Sequence, residues 1–255
     1  MTVRMFAGMN PNFVTQAHAN GWRILHMHET GSTNSDLMAM ARSGEAAGLV
    51  VRADSQTAGR GRLGRVWEAP PSQNLLCSLL FRPTELEPPV PANQLHILTA
   101  AVALAAADAC AAMTKVRPSL KWPNDLLVGE RKLAGILAES VFEGVTPVAV
   151  VVGIGLNVNA SPEGAVDMAS LAGYSLAVDE VLDLMLTALD VASAAARYPG
   201  ALMTIGRRVR VEFDEGVLVG QATGITDEGR LIVLDESGER HDFSAGDVVH
   251  VRNQI

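Results

Sequence analysis

After a mixed lead-in, the chain alternates between short apolar runs and polar turns. The apolar runs predict seven strands, at residues 22–28, 49–53, 75–81, 119–122, 125–128, 133–141 and 147–155. Residues 33–42 have the pattern of a helix that Ser32 can cap. Residues 93–113 are nearly all alanine, leucine, isoleucine and valine, which predicts a buried helix, and residues 178–196 predict an amphipathic one. Residues 1–20 have no clear period, and we expect a loosely packed lead-in there.

The pattern changes after Pro199 and Gly200. The segment RRVRVEF, residues 207–213, alternates strictly between polar and apolar positions, and glycines then interrupt short β-like runs at close intervals. This pattern predicts a small all-β module of about five strands, of the barrel kind. We therefore expect an α+β domain over residues 1–204, followed by a β-barrel over residues 205–255.

Composition supports a folded protein with a sizeable core and argues against nucleic acid as a partner. Of the 255 residues, 48% are hydrophobic and 19% are charged, which is enough apolar surface for a buried core. The net charge is −8, whereas nucleic-acid-binding proteins usually carry a basic surface. Aromatic residues make up only 4% of the chain, too few for base-stacking platforms.

The cysteines and the hydropathy predict the cellular compartment of the protein. Cys77 and Cys110 lie in apolar contexts without a CxxC spacing, which fits a reducing compartment. The N-terminus lacks the basic cap and apolar run of a signal peptide, and no uninterrupted run of about 18 strongly apolar residues occurs. We expect a soluble, cytoplasmic protein that does not associate with a membrane.

A loop rich in glycine and arginine is the sharpest chemical feature of the sequence: GRGRLGRVW, at residues 59–67. Its first seven residues contain three arginines, three glycines and no acid, which cannot form a helix or a core strand. Glycine lets the backbone approach a ligand closely, and the planar guanidinium suits carboxylate and phosphate oxygens. The adjacent Trp67 can stack on a ring. A single Arg-Gly pair would indicate an ordinary solvated loop, but the whole segment predicts an anion-binding loop.

Two further motifs place a lysine and a carboxylate beside predicted strands. In KWPND, residues 121–125, the proline favours a turn that displays Asp125, and a carboxylate in that position can hold Mg²⁺. A turn without any ligand would explain the same residues equally well. In KLAGI, residues 132–136, Lys132 begins a strand and Gly135 leaves room for a ligand or a neighbouring backbone. An exposed lysine at a strand end is the commoner case, but the chain has only three lysines, which favours a function here.

Other candidate motifs are weaker. GIGLNVN, residues 153–159, lacks the third glycine of a dinucleotide-binding fingerprint, and no Walker A sequence is present. His26 and His28 alternate on one face of a predicted strand without an apparent third ligand, so we interpret them as structural rather than metal-binding. No Ser-His-Asp or Cys-His set can be assigned from the sequence.

Together these motifs resemble those of the biotin protein ligases. GRGRLGRVW, KWPNDLLV, KLAGILAES and GIGLNVN occur in the order and spacing of that family, as do GSTN at residues 31–34 and DSQTA at residues 54–58. The resemblance extends from about residue 22 to residue 255, and no motif position is broken. It implies a mixed-sheet catalytic domain of the biotin/lipoate ligase type, followed by a small SH3-like β-barrel.

The resemblance implies a two-step reaction. The biotin carboxylate attacks the α-phosphate of ATP, with Mg²⁺, to give biotinyl-5′-AMP and pyrophosphate; a lysine of a biotin carboxyl carrier protein then takes the biotinyl group and AMP leaves. No tightly bound prosthetic group is implied. The matching positions imply catalytic roles for Lys132, Arg60 and Arg62. The implied biotin-binding residues are Ser32, Thr33, Asn34, Gln56, Arg60, Gly61, Arg62, Lys132, Gly135 and Gly155. The implied ATP or adenylate contacts are Arg60, Arg62, Arg65, Trp67, Lys121, Asn124, Asp125 and Asn157, with Asp125 as a direct or indirect Mg²⁺ ligand.

The resemblance also implies partners. The carrier protein would be part of acetyl-CoA carboxylase or a related carboxylase. Some family members carry an N-terminal helix-turn-helix domain that represses transcription. Only about 20 residues precede the matching region here, so we expect the form without that domain, and no DNA binding. We expect a monomer or a homodimer.

Three alternatives stay open at this point. A lipoate or octanoate transferase shares the catalytic fold, but neither Cys77 nor Cys110 is placed as a nucleophile. A non-catalytic binding protein on the same scaffold would have lost Lys132 or the arginine loop, and both are intact. A peptide-binding role for the barrel finds only Phe213 and Phe243 to line an aromatic groove.

Overall fold

The computed structural model describes residues 13–17, 20–213, 216–244 and 246–250. Within these residues, the N-terminal part of the fold contains eight strands: β1 Phe13–Ala17, β2 Arg23–Thr30, β3 Leu49–Gln56, β4 Leu75–Phe81, β5 Ser119–Lys121, β6 Asp125–Val128, β7 Arg131–Glu143 and β8 Thr146–Leu156. The helices that accompany them are α1 Thr33–Arg42, α2 His96–Thr114, α3 Met168–Ala172, α4 Val178–Ala188 and α5 Val191–Ala201. Short 3₁₀ turns lie at Arg62–Gly64, Pro83–Glu85 and Ala92–Gln94.

The eight strands form one mixed sheet in the order β1-β2-β3-β4-β8-β7-β6-β5. Of the strand pairs described, β2 and β3 are parallel and the others are antiparallel. A parallel pair needs a crossover instead of a hairpin, and α1 supplies it. The start of α1 therefore lies where β2 ends. All seven predicted strands are confirmed, although β2, β3, β7 and β8 are longer than predicted.

The two faces of the sheet are covered by different helices. On one face, α1 buries Leu37 and Met40 against Val51 and Val151. On the other face, α2 packs with α4 and α5 in the main core, and the predicted buried helix is confirmed. Among the described residues, Ala92–Thr114 alone has the length and apolarity of a membrane span, and 72% of its most apolar window is buried inside the protein. Its apolar composition is accounted for by its place in the core.

Two predictions about local structure are wrong. Residues 178–196 are not one helix, because the chain breaks between α4 and α5, where the carboxylate of Asp190 accepts a hydrogen bond from Ser193 N and starts a new helix. This second helix continues through Pro199, beyond the predicted change of pattern. The predicted loose lead-in is wrong for β1, which pairs antiparallel with β2. Residues 1–12, 18 and 19 lie outside the described residues.

The predicted all-β module follows. Its five described strands are β9 Arg208–Phe213, β10 Gly216–Ile225, β11 Leu231–Leu234, β12 Arg240–Phe243 and β13 Asp247–His250. They form an antiparallel sheet in the order β12-β11-β10-β9-β13, which confirms the predicted change of architecture. A domain boundary between residues 204 and 205 stays a prediction.

The two sheets share one hydrophobic core. A single cluster of buried side chains includes Leu98 and Leu104 of α2 as well as Val209 and Leu231 of the small sheet. Trp122, which is 2% exposed, joins both parts through hydrogen bonds. Its backbone N donates to the Thr204 hydroxyl, and its indole Nε1 donates to the Gly229 carbonyl, both at 3.0 Å. The small sheet is therefore packed onto the larger one.

Candidate active site

A cavity of about 520 Å³ opens between one end of the large sheet, the Gly/Arg loop and β13. Every site residue predicted from the sequence lines it: Ser32, Thr33, Asn34, Gln56, Arg60, Gly61, Arg62, Arg65, Trp67, Lys121, Asn124, Asp125, Lys132, Gly135, Gly155 and Asn157. These residues come from five separate stretches of sequence. The volume lies in the range typical of small-molecule sites.

One side of the cavity is built at the start of α1. Ser32 caps this helix by accepting from Ser35 N, and Thr33 lies next to it; both are buried. Thr33 donates to Gln56 Oε1 through its backbone N at 2.8 Å and its hydroxyl at 3.1 Å. Because Gln56 ends β3, this contact fixes β3 to the helix start. The result is a buried group of hydroxyls and an amide.

Asn34 lies in the same wall, but its polar atoms are engaged by the protein. Its Oδ1 accepts from the Ser78 hydroxyl at 2.6 Å, and its Nδ2 donates to Glu139 Oε2 at 2.8 Å and to the Leu137 carbonyl at 3.2 Å. The amide packs against Gly153 so closely that a Cβ there would clash with Asn34 Oδ1. Asn34 therefore joins α1 to β7 and β8, and it positions its neighbours.

The Gly/Arg loop folds as a small hairpin over the sheet. Gly61 N donates to the Arg65 carbonyl at 2.7 Å, and Trp67 N donates to the Gly59 carbonyl at 3.0 Å. The turn passes through Leu63 and Gly64, which have positive φ angles of 55° and 71°. Glycine takes that conformation without strain, whereas Leu63 is a strained position at an exposed tip.

Trp67 occupies the space beside the two glycines that were expected to admit a ligand. A Cβ on Gly155 would collide with the indole, and a Cβ on Gly135 would lie 3.1 Å from its Cζ3 atom. The indole Nε1 is buried without a hydrogen-bond partner in the described part of the chain. The predicted close approach at Gly135 and Gly155 is thus made by Trp67.

The two arginines at the sides of the loop are paired with groups of the protein. Arg60 Nη2 lies 3.0 Å from Ser35 Oγ and 3.4 Å from the Glu139 carboxylate, and Arg65 pairs with Asp247 of β13. Arg60 and Arg65 thus anchor the loop at its two sides. Both side chains remain about half exposed or more, at 48% and 64%.

Arg62 and Lys132 are two further cations of the cavity that contact groups of the protein. Arg62 donates to Asn124 Oδ1 at 3.3 Å, and burial lowers the pKa of its guanidinium below the ordinary value. Lys132 Nζ lies 2.7 Å from Asp125 Oδ1 and 5.6 Å from the ring centroid of Trp67. These two cations are directed into the cavity, at the end that the KWPND turn forms.

Two asparagines of the predicted set hold the backbone at this end. Asn124 Nδ2 donates to the Ile136 carbonyl at 2.8 Å. Asn157 Nδ2 donates to the Val166 carbonyl at 3.2 Å and to the Lys132 carbonyl at 3.5 Å. Asn157 is 2% exposed, so its amide fixes the strand that carries Lys132.

The carboxylates limit how a metal ion could be held. Glu139 and Asp247 pair with loop arginines, Glu68 lines the cavity from an exposed position after the loop, and Asp125 lies beside Lys132 at the KWPND turn. Mg²⁺ is often held by one or two carboxylates when phosphates supply its other ligands. The Asp125 carboxylate fits a Mg²⁺ ion that arrives with phosphates.

Comparison with known proteins gives the family. The model of the biotin/lipoate A/B protein ligase family matches residues 30–157, and that of the biotin protein ligase C-terminal domain matches residues 204–251. The biotin–[acetyl-CoA-carboxylase] ligase of Mycobacterium tuberculosis is 41% identical over 252 residues, which cover 91% of each chain. The chain belongs to the biotin protein ligases. It is a ligase, and the predicted order of a mixed α+β domain and a small β module is the one this family has.

More distant relatives share the architecture. The bifunctional ligase/repressor BirA of Bacillus subtilis is 27% identical over 251 residues, or 91% of this chain and 76% of that protein. The biotin protein ligase from Aquifex aeolicus, solved in complex with biotin and ATP, has a TM-score of 0.72 at 27% identity and covers 90% of this chain and 99% of its own. A biotin protein ligase-like protein of unknown function from Silicibacter has a TM-score of 0.68 at 14% identity. That likeness shows the fold alone.

Glu139, Ser78 and Asp247 hold residues of this biotin protein ligase site in place, and none of the three was predicted from the sequence. Glu139 lies within the KLAGILAES motif, so its position was visible but its contacts with Arg60 and Asn34 were not. Ser78 is the one polar residue in the apolar run LLCSLLF, which was the available signal, and its hydroxyl donates to Asn34. Asp247 is 182 residues from its partner in the loop, and no local pattern joins the two.

The cysteines of the ligase are buried and not paired in a disulfide. Cys77 lines the cavity, and burial raises the pKa of its thiol to about 12. Burial also raises the pKa of Cys110, on α2. Both thiols therefore stay protonated at neutral pH, which leaves neither as a nucleophile for a lipoate or octanoate transferase.

Proposed function

We propose that this biotin protein ligase activates biotin with ATP to biotinyl-5′-AMP and transfers the biotinyl group to a lysine of a biotin carboxyl carrier protein. The observation that carries the proposal is the convergence of Arg62, Lys132 and the Thr33–Gln56 pair in one cavity. It agrees with the relatives, one of which is named for biotin and acetyl-CoA carboxylase. The solved ligase from Aquifex aeolicus holds biotin and ATP.

The wall at the start of α1 suits the ureido ring of biotin. That ring offers two N–H donors and one carbonyl acceptor, and Ser32, Thr33 and Gln56 supply hydroxyl and amide groups of both kinds. Ser32 and Thr33 are at most 5% exposed, so a polar ligand group there would be desolvated and would need these partners. Asn34 acts by holding α1 in place, since its own polar atoms are engaged.

The other end of the cavity suits the reacting carboxylate and phosphate. A carboxylate oxygen attacks the α-phosphorus, a P–O bond forms, and the bond to the leaving pyrophosphate breaks. Two anions must approach for this step, and Arg62 and Lys132 supply fixed positive charge at that point. In the second step the carrier amine attacks the biotinyl carbonyl, loses its proton, and AMP leaves. Neither step requires a nucleophile from the enzyme.

Mg²⁺ would enter this site with the phosphates of ATP. Asp125 is the residue that would hold it, directly or through water, with Asn124 beside it. The ion would neutralise phosphate charge and favour the departure of pyrophosphate. Lys132 and Asp125 form an ion pair, so binding of the ion would release the ammonium towards the ligand.

The partner and the compartment are part of the same proposal. The acceptor is a carrier protein of acetyl-CoA carboxylase or a related carboxylase, and the ligase works as a monomer or homodimer without nucleic acid. The two buried, unpaired thiols of Cys77 and Cys110 support a reducing compartment, the cytoplasm.

The test is ATP–pyrophosphate exchange with purified protein and Mg²⁺, with biotin, lipoate and octanoate as parallel substrates. We expect exchange with biotin alone. Exchange driven by lipoate or octanoate would move the chain to the transferase alternative. A folded sample that is inactive with all three acids would support the non-catalytic alternative.

A further inference from the structure

A cluster of two histidines and an aspartate lies outside the cavity, on β2 and β3. His26 and His28 are two residues apart on β2, so their side chains project from the same face of the sheet. Asp54 lies on the parallel neighbour β3, where Met27 pairs with Ala53. This register brings the carboxylate between the two imidazoles.

The distances are those of a compact ligand set. His26 Nε2 lies 2.8 Å from Asp54 Oδ1, and His28 Nδ1 lies 3.1 Å from Asp54 Oδ2. One ligand atom from each of the three residues lies within 4.8 Å of the others. Two imidazole nitrogens and a carboxylate oxygen form a common donor set for Zn²⁺ and similar divalent transition metals. The His28 side chain is 77% exposed, so water can complete the coordination.

The surrounding charges also favour a cation. Arg52 Nη2 lies 3.4 Å from Asp54 Oδ1, and Arg52 Nη1 lies 3.0 Å from Asp179 Oδ1. The carboxylates of Asp54 and Asp179 thus face one guanidinium, that of Arg52, and these three side chains together carry a net charge of −1. Arg52 is buried, so it also holds the Asp54 carboxylate in a fixed orientation, as outer partners of metal ligands commonly do.

We propose that His26, His28 and Asp54 form a surface site for a divalent transition metal ion of the Zn²⁺ class. This proposal is an alternative to our interpretation of the histidines as structural, because a third ligand is available from a different strand, 26 residues away from His28. It is distinct from the Mg²⁺ position proposed at Asp125, which offers oxygen ligands and faces the cavity. The inference does not depend on the proposed ligase reaction.

The chain offers a matched control in the small sheet. Asp235, Glu239 and His241 also bring three ligand atoms within 4.8 Å, but with one imidazole and two carboxylates. Asp235 Oδ1 already accepts from the backbone N atoms of Ser237 and Glu239. We therefore expect this second cluster to bind Zn²⁺ more weakly than the first.

The experiment is calorimetric titration of Zn²⁺ into the full-length protein without an affinity tag, in excess Mg²⁺. We compare the wild type with His28→Gln, Asp54→Asn and the control His241→Gln. The wild type and His241→Gln should bind one equivalent with the same affinity, and His28→Gln and Asp54→Asn should bind at least about tenfold more weakly. Since His28 is exposed, His28→Gln should keep its fold, which circular dichroism checks.

Three results would contradict the proposed metal site. The first is no Zn²⁺ binding by the wild type, which would leave the cluster as an ion-paired network. The second is unchanged affinity in His28→Gln, and the third is a loss confined to His241→Gln. Titration with Co²⁺ adds an independent readout, since a strong thiolate charge-transfer band would assign the ion to a cysteine instead.

Discussion

Lys132 contacts two chemically different partners, the carboxylate of Asp125 and the indole of Trp67. Its side chain is 40% exposed, so the ammonium lies where solvent meets the cavity wall. An anionic ligand that enters the cavity competes with Asp125 for this charge. The attraction between the ammonium and an anionic ligand strengthens as water is excluded. Lys132 therefore stabilises the ligand most when the cavity is filled.

Lys132→Ala should lower biotin-dependent ATP–pyrophosphate exchange by about 100- to 1000-fold, the range for removing one preorganised charge or donor from a transition state. It should also weaken biotin binding, since the ammonium neutralises the carboxylate. The control is Lys115→Ala, because the Lys115 ammonium lies outside the cavity and donates to the Ala112 carbonyl at the end of α2. Near-normal exchange by Lys132→Ala would contradict the role assigned to this residue.

Cys77 gives a second test at the scale of one side chain. Burial raises the pKa of its thiol from 9.0 to about 12, so at pH 8 the thiolate fraction falls by about a thousandfold. We expect iodoacetamide to modify Cys77 at least about a hundredfold more slowly in the folded protein than in denaturant, as followed by mass spectrometry. Rapid alkylation of the folded protein would show an accessible thiolate and would reopen the transferase alternative.

At the scale of elements, the site depends on how the Gly/Arg loop rests on β7 and β8. The indole of Trp67 fills the space that Gly135 and Gly155 leave open, and the arginines on either side of the turn attach to other elements. The glycines are thus required by the packing of the loop. A ligand that enters here must share this space with Trp67 or displace it.

Gly155→Ala should displace the Trp67 indole, because the added Cβ would clash with the ring atoms of that indole. We expect a change in tryptophan fluorescence and at least about tenfold weaker biotin binding, the cost of overpacking by one methyl group. Gly200→Ala is the control, since a Cβ at Gly200 meets nothing within 4 Å. Unchanged fluorescence and affinity in Gly155→Ala would show that Trp67 is not held against this strand.

Most elements could be predicted from local pattern, and the exceptions have physical causes. The strands and the buried helix were predictable because period and apolarity are local properties. The break at Asp190 was missed although Asp190 and Ser193 form a recognisable cap, because the amphipathic period continues through it. The pairing of β1 with β2 is long-range and has no strong pattern of its own.

At the scale of the whole molecule, the small sheet completes the cavity. Asp247 and Val248 of β13 line it, and Asp247 pairs with Arg65 of the loop. The shared core and the hydrogen bonds of Trp122 fix the small sheet in position. The other site residues could be predicted because each belongs to a sequence motif. Asp247 could not be predicted, because only the packing of the two sheets brings it to the site.

Asp247→Asn should alter function more than stability. The pair with Arg65 is well exposed, so its loss should change the free energy of unfolding by less than about 1 kcal/mol. We expect the KM for ATP to rise by roughly fivefold, because Arg65 loses the partner that orients it. Thermal unfolding and exchange kinetics measure both quantities, with Asp242→Asn as the control, since Asp242 pairs with Arg240 within β12. A large loss of thermal stability without a change in KM would assign Asp247 to folding alone.

The contribution of β13 to the cavity also bears on when the protein becomes active during its synthesis. Every other part of the cavity lies upstream of residue 163, and β13 begins only at Asp247. On the ribosome, a growing chain therefore displays the arginine loop and the lysine well before the wall that closes over them has been made. A nascent or prematurely terminated chain therefore lacks one wall of the cavity, and in the reaction we propose such a chain would leave the reactive acyl phosphate exposed to water.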